Sequence, residues 1–263
     1  MNLKTLFLPN QPVSPSAMQA LVGIQALGLI ALWSAWPSAL LPKPLAIASA
    51  WQELWVNQGL GGEIWASLTV NLQALALATG LSAVLAYLTV LPIMRPLVLL
   101  LSKLRFLGLT GLTLFFTLAA SSGHALKVSL LVFGMSVFFV TALAQEVAAT
   151  PIERLDHARS LRLPEWRVVW EVIIRGRLDA LLEALRQNAA MGWMMLTMVE
   201  GLVRGEGGIG GLLLAQNKHL HLDAVVAIQL TVLLIGIAQD CVIGWAKRLL
   251  CPHLYLHEAV RTA

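Results

Sequence analysis

The sequence is poor in charged residues. Only 12% of its 263 residues are Asp, Glu, Lys or Arg, whereas 58% are hydrophobic, and the mean hydropathy is +0.76. Soluble globular domains contain about twice this charged fraction. The composition therefore excludes an ordinary soluble domain and favours a polytopic helical membrane protein.

Cysteines are few, and the motifs of common enzymes are missing. Cys241 and Cys251 lie in or just beyond the last apolar run on the side predicted to be cytoplasmic, so no disulfide is expected. The sequence contains no Walker lysine motif, no His-Glu-x-x-His and no nucleophile elbow. We therefore expect a protein that is not an enzyme, has no catalytic residue, cofactor or metal, and cannot itself hydrolyse ATP.

Apolar runs long enough to cross a bilayer, which takes about 20 residues, recur along the chain. They lie at residues 17–41, 64–91, 107–120 (extended back to Pro96 if both parts form one span), 126–145, 180–201 and 223–246. They predict an all-α membrane protein with about six transmembrane helices, or five, in a single domain covering residues 1–263. The first run is too long for a signal peptide, so we expect a retained helix, with cleavage near residues 48–50 as the alternative.

The distribution of basic residues predicts the orientation in the membrane. With the N-terminal tail, residues 1–16, in the cytoplasm, fourteen of the 18 lysines and arginines fall on the cytoplasmic side and four outside. The four are Lys43, Lys127, Arg204 and Lys218. The positive-inside rule favours this arrangement, with both termini cytoplasmic. The positive net charge of +4 is thus explained by topology, and no nucleic-acid partner is expected.

Charge is concentrated in one internal segment. Residues 146–186 hold 14 of the 32 charged residues, seven acids and seven arginines. Thr150, Pro151 and Glu153 form a helix-start signal with a capping box, and Leu163-Pro164 predicts a break between two short helices that end near Leu161 and Gly176. Residues 149–177 therefore predict a cytoplasmic insert. From the residues alone, it is either a solvated surface with intrahelical ion pairs such as Glu171–Arg175 or a docking surface for a partner.

The insert resembles the cytoplasmic signature of ABC importer permeases, Glu-Ala-Ala, three residues, Gly, nine residues, Ile-x-Leu-Pro. By this spacing Asp156-His157-Ala158 occupy the Glu-Ala-Ala places and Arg162 the Gly place. Val172, Ile174 and Arg175 occupy the places of Ile, Leu and Pro. The resemblance implies a coupling helix that sits in a groove of a separate cytoplasmic ATPase. Its implied contact residues are Asp156, His157, Ala158, Arg159, Leu161 and Arg162.

The remainder of the chain, from about residue 60 to 250, is similar to permeases of the nitrate/sulfonate/taurine/bicarbonate type. The similarity lies in "MVEGLVRGEGGIGGLL" and "LDAVVAIQLTVLLIGIAQD" and in the order of the spans. It implies import of a small solute, with an anion favoured, across the inner (cytoplasmic) membrane. The implied partners are the ATPase, a second permease copy and an external or periplasmic solute-binding protein that meets the external loop at residues 201–223.

Two features of the fifth apolar run are candidates for the transport path. Met191, Met194, Met195 and Met198 share one helical face, which indicates either a deformable lining or a helix-packing surface. Glu200 closes the run, where an ionisable residue indicates either function or simple hydration at the membrane surface. His219, His221 and Asp223 have the side chains of metal ligands, but such a triplet in a surface loop more often binds no metal, so no metal site is expected.

A different class of protein is the alternative. The chain would then be a secondary transporter or a membrane scaffold whose arginine-rich insert only anchors a partner or anionic lipid. An inverted internal repeat would favour the transporter, and the sequence shows none. The insert's near-neutral charge also disfavours lipid headgroups as its target.

Overall fold

The computed structural model describes residues 14–35, 42–203 and 205–252, and these ranges contain helices but no strand. The predicted all-α class is therefore confirmed. The α-helices are α1 (Pro15–Ala35), α2 (Pro44–Asn57), α3 (Leu60–Leu88), α4 (Arg95–Lys103), α5 (Leu109–Ala119), α6 (Gly123–Ala148), α7 (Ile152–Ser160), α8 (Glu165–Val168), α9 (Leu178–Leu202), α10 (Ile209–Lys218) and α11 (Leu222–Leu250). Residues 1–13, most of the predicted N-terminal tail, lie outside the described ranges.

Four of the described helices are long and apolar enough to cross a membrane: residues 16–34 of α1, and α3, α6 and α11. The fifth candidate is a pair of segments, Pro92–Phe106 followed by Leu109–Ala119, with a bend of 110° between them. A straight span from Pro96 to residue 120 is therefore wrong, because Leu107 and Gly108 adopt extended backbone and break the helix. The run at 180–201 is helical as predicted, but α9 carries charged residues within its length.

The centre of the bundle is built from α3, α6, α9 and α11. His124 Nε2 on α6 donates to Oε1 of Gln73 on α3, and the Ser82 hydroxyl on α3 donates to the carbonyl of Ser136 on α6, so the two helices run parallel. Small residues at the contacts let the helices approach closely, as is typical of membrane helix pairs. A Cβ added at Gly192 of α9 would lie 2.9 Å from Oδ1 of Asn71 on α3.

The antiparallel course of α9 and α11 gives the bundle two distinct ends. Glu183 of α9 pairs with Lys247 of α11, while the opposite ends of these helices flank α10. We call the end that carries residues 149–177 the insert end, and the end that carries residues 201–223 the loop end.

Amide side chains within the bundle connect helices rather than standing free. Asn71 Nδ2 and Trp193 Nε1 both donate to Oε1 of Gln239, at 3.1 and 2.6 Å. Asn188 instead donates to the carbonyl of Ala184 in its own helix, at 3.2 Å. Asn71 and Gln73 therefore form hydrogen bonds between helices.

Candidate functional site

The insert folds as two short helices with a turn between them, as the sequence predicts. α7 is followed by α8, which continues into a π-helical turn at Val169–Arg175. The predicted capping box is wrong, because Pro151 occupies the N-cap position of α7 and no side chain caps the helix. The Thr150 hydroxyl donates back to the carbonyl of Glu146, at 3.5 Å.

Three apolar residues of the insert are buried. Ala158 of α7 is buried together with Val168 and Ile173 from the following segment. These three residues are not part of the two larger hydrophobic clusters of the bundle. The insert is therefore an ordered helical segment, and Ala158 is the buried member of the implied contact residues.

Arg159 connects the two helices of the insert. Its guanidinium donates to both oxygens of Glu165, at 2.9 and 3.1 Å, and to Asp156 Oδ1 at 3.1 Å. The hydrogen bond from Arg159 holds the pKa of the Glu165 carboxyl below its ordinary value. The predicted pair Glu171–Arg175 is also present, at 3.3 Å.

Arg162 forms the turn between α7 and α8 with a backbone φ of 56°. This left-handed conformation favours glycine, because a Cβ crowds the following carbonyl. The Arg162 N–H donates to the carbonyl of Arg159 at 2.8 Å and closes the end of α7. Arg162, which was aligned with the glycine of the permease signature, thus has a backbone conformation that favours glycine.

The surface of the insert combines charged and apolar side chains. Asp156, His157, Arg159, Leu161 and Arg162 are all exposed. Besides Leu161, three large apolar side chains are exposed on the insert: Ile152, Trp166 and Trp170. Exposed aromatic and apolar residues interspersed with arginine are typical of protein interfaces.

One arginine fixes the insert to the bundle. Arg177, just before α9, donates to Glu146 Oε2 near the end of α6 at 2.6 Å and to the carbonyl of Ala149 at 2.7 Å. Both ends of the insert are thereby held together where α6 ends and α9 begins.

The predicted methionine face lies mainly on the surface of the single chain. Met191, Met194 and Met198 are exposed, whereas Met195 is partly buried and packs against the central cluster. Met194 contributes to two cavities on the bundle surface, of about 320 and 530 Å³. The structure thus leaves three of the four methionines available to line a path or to meet a partner.

Glu200 is buried at the loop end, so the interpretation of simple hydration is wrong. Its side chain is only 1% exposed. The Ser67 hydroxyl on α3 donates to its carboxylate, and the Gly210 N–H donates to Oε2 at 2.8 Å. Glu200 therefore joins α3, α9 and α10.

The three amides that open α10 are all capped by side chains from other helices. Gly208 N–H donates to Glu63 of α3, Ile209 N–H to Ser67 Oγ at 2.8 Å, and Gly210 N–H to Glu200. Two carboxylates at a helix N-terminus are favoured by its unpaired amides and by the helix dipole. This arrangement, which we call the α10 clamp, was not predicted from the sequence.

Lys127 holds the glycine-rich loop from the side of α6. Its ammonium donates to the carbonyls of Glu206 and Gly207, at 3.1 and 2.7 Å, and the residue is only 2% exposed. Next to the loop lies a cavity of about 430 Å³ lined by Glu63, Glu200, Lys218 and His219 among others. Gly205, Gly207 and Gly208 in this loop have positive φ values of 102°, 65° and 110°, so these glycines allow the chain to turn tightly before α10.

The described residues contain no group of three or more His, Cys, Asp or Glu side chains placed to hold a metal ion. His221 Nδ1 instead forms a hydrogen bond with Gln216 Oε1, at 2.9 Å.

Comparison with known proteins adds no relative: no protein-family description matches the chain, and no curated protein sequence matches it significantly.

Proposed function

We propose that the chain is the transmembrane permease subunit of an ABC importer, driven by a separate cytoplasmic ATPase. The insert, residues 149–177, is the coupling segment on which the ATPase docks. The chain moves a small solute, with an anion favoured by the resemblance to nitrate/sulfonate/taurine/bicarbonate permeases.

The geometry at Arg162 carries this proposal. In the permease signature three residues separate the Glu-Ala-Ala element from the glycine, and Arg162 at the glycine position has a φ of 56°. A turn between two short helices that places one residue in the left-handed conformation favours glycine at that position, because glycine adopts positive φ without steric cost. The backbone thus supports the resemblance at a position where the side chain departs from it.

The attachment of the insert supports a coupling role. Because Arg177 fastens it to α6 and α9, a partner that displaces the insert displaces these two helices as well. The ATPase favours one conformation of the permease to the extent that it binds the insert more tightly in that conformation. Asp156, His157, Leu161 and Arg162 provide the exposed contacts, Arg159 orients the two helices, and Ala158 packs beneath them.

The proposal includes the setting and the other partners. The insert end faces the cytoplasm and the loop end faces outward, with about six helices per chain in the inner membrane, counting α9 and the bent pair as spans. A second copy completes the path, and an external or periplasmic solute-binding protein meets residues 201–223. Met191, Met194 and Met198 line the path, with Met195 behind them, while Glu200 positions α10 at its outer end.

Co-purification tests the proposal. The tagged full chain is extracted from its native membrane in mild detergent, and the proteins that accompany it are identified by mass spectrometry. We expect a stoichiometric P-loop ATPase that is lost when residues 152–165 are scrambled or when Leu161→Glu is introduced. Leu220→Glu is the matched control, because Leu220 is equally prominent (76% exposed against 64% for Leu161) but lies at the loop end.

Arg162→Glu is a second test, because it reverses the charge of the turn without shortening the insert. It is expected to uncouple transport from ATP hydrolysis while membrane insertion persists. A chain that purifies alone under every nucleotide condition contradicts the proposal and favours a secondary transporter or scaffold.

A further inference from the structure

The charged side chains of the insert fall into paired and unpaired groups. Arg159 binds Asp156 at 3.1 Å and Glu165 at 2.9 Å. Arg175 binds Glu171 at 3.3 Å. Three of the four acids of the insert are therefore neutralised by arginines of the insert itself.

Three arginines of the insert are left over. Arg154, Arg162 and Arg167 are exposed, and none of them forms an ion pair with any residue in the described ranges. Glu153 is the one acid of the insert that has no ion-pair partner among the same residues. With three positive groups against one negative group, the free charge of the insert is positive, although its total charge is nearly balanced.

Two of the unpaired arginines share the turn of the insert with exposed apolar side chains. Leu161, 64% exposed, precedes Arg162, and Trp166, 68% exposed, precedes Arg167. We call these four residues the turn surface. Glu165, which lies within the same stretch, is already bound to an arginine of α7. The turn surface thus presents two free cations and two large apolar groups.

The chemistry of the turn surface limits what can cover it. A partner that binds there removes water from both guanidinium groups, and a buried cation without a counter-charge is strongly unfavourable. Carboxylates meet this need best, because the planar fork of arginine forms two parallel hydrogen bonds with a carboxylate. Exposed Trp and Leu side chains are stabilised when they enter an apolar pocket of the partner.

We infer that the groove that receives the turn surface is acidic, with carboxylates facing Arg162 and Arg167 and an apolar pocket for Leu161 and Trp166. The owner of this groove is the ATPase of the proposed function, so the inference rests on that proposal. An anionic membrane surface fits less well, since segments that bind anionic lipids gather about four to eight basic residues. The turn surface has two.

Zero-length cross-linking of the full chain in its native membrane tests the inference. Arg162→Lys and Arg167→Lys each keep the positive charge and introduce an amine, and residues 128–217 contain no other lysine. A water-soluble carbodiimide joins this amine to a carboxylate in direct contact with it, and mass spectrometry identifies the two residues. Arg175→Lys is the matched control, because the Arg175 side chain is 67% exposed on the same insert but already paired with Glu171.

Both turn-surface variants are expected to become joined to an Asp or Glu of the P-loop ATPase, and the control variant is expected to lack that adduct. If the ATPase co-purifies with both variants but is joined to neither, the acidic groove is overturned and the proposed function stands. Adducts with the carboxylate of phosphatidylserine would also overturn the inference and assign the turn surface to the membrane. If no ATPase accompanies the unmodified chain, the proposed function fails and the acidic groove fails with it.

Discussion

Replacing Gly210 by alanine is expected to destabilise the loop end, whereas the same change at the neighbouring Gly211 is not. A Cβ added at Gly210 would overlap the carbonyl oxygen of Thr197 and would lie 2.8 Å from Cβ of Glu200. At Gly211 the nearest atom is the carbonyl oxygen of Glu200, at 3.9 Å. Both glycines lie in the first turn of α10, so both substitutions gain the same helix propensity, about 1 kcal/mol.

The difference between the two variants isolates the contact between α9 and α10. Because the obstructing atom at Gly210 belongs to the backbone, α10 must move away from α9, and such overpacking costs about 1–3 kcal/mol. The movement also weakens the hydrogen bond from Gly210 N–H to Glu200, worth about 1 kcal/mol. Together they predict that Gly210→Ala is roughly 2–4 kcal/mol less stable than Gly211→Ala.

Thermal unfolding in detergent, followed by the fluorescence of the nine tryptophans, measures this difference. For a chain of this size about 2–4 °C corresponds to 1 kcal/mol, so Gly210→Ala is expected to melt on the order of 5–15 °C below Gly211→Ala. Equal melting temperatures would refute the close approach of α10 to α9 and with it the geometry of the α10 clamp.

Three further predictions concern single side chains. Arg162→Gly is expected to leave the turn of the insert intact or more protected in hydrogen exchange. Arg162→Val is expected to destabilise the turn by about 1 kcal/mol, because a β-branched residue is strained at positive φ. Equal protection in both variants would contradict the left-handed turn. Glu200→Ala is expected to lower the free energy of unfolding by about 1–3 kcal/mol, since it leaves the Ser67 hydroxyl and the Gly210 amide unpaired, and Glu200→Gln is expected to lower it less. An unchanged melting temperature in Glu200→Ala would contradict the α10 clamp. The Arg159–Glu165 pair is expected to persist above the ordinary pKa of glutamate and to be lost as pH falls through the depressed pKa of Glu165. Hydrogen exchange in residues 152–168 therefore rises on acidification, and Arg159→Gln removes this pH dependence. An unchanged pH dependence in Arg159→Gln would contradict the pairing.

The sequence predicted the helices better than their contacts. Apolar runs near 20 residues and the Leu163-Pro164 break are local signals in the sequence. The described chain forms helices at the positions that these signals predicted. The 110° bend was not predicted, since Leu107 and Gly108 continue an apolar run and nothing local forces the extended backbone there. The failed capping box shows the same limit, because Pro151, and not Thr150, takes the N-cap position.

The α10 clamp is the part of the site that sequence patterns do not reveal. Its capping residues Glu63, Ser67 and Glu200 come from two helices, α3 and α9, and lie up to 137 positions apart in the chain. Hydrophobic periodicity reports which face of a helix is apolar, but not which helices meet there. The position of Glu200 at the end of an apolar run left function and simple hydration as alternatives, whereas three-dimensional packing buries Glu200 against an amide of α10.

Site-specific photo-crosslinking from the insert tests the central claim most directly. A benzophenone amino acid replaces Trp166 on the insert or, as the control, Trp65 near the loop end; both tryptophans are 68% exposed. After irradiation in the native membrane, adducts are identified by mass spectrometry. The account predicts a P-loop ATPase attached at position 166 and not at position 65. No ATPase adduct at position 166, or equal adducts at both positions, would contradict the assignment of residues 149–177 as the coupling segment.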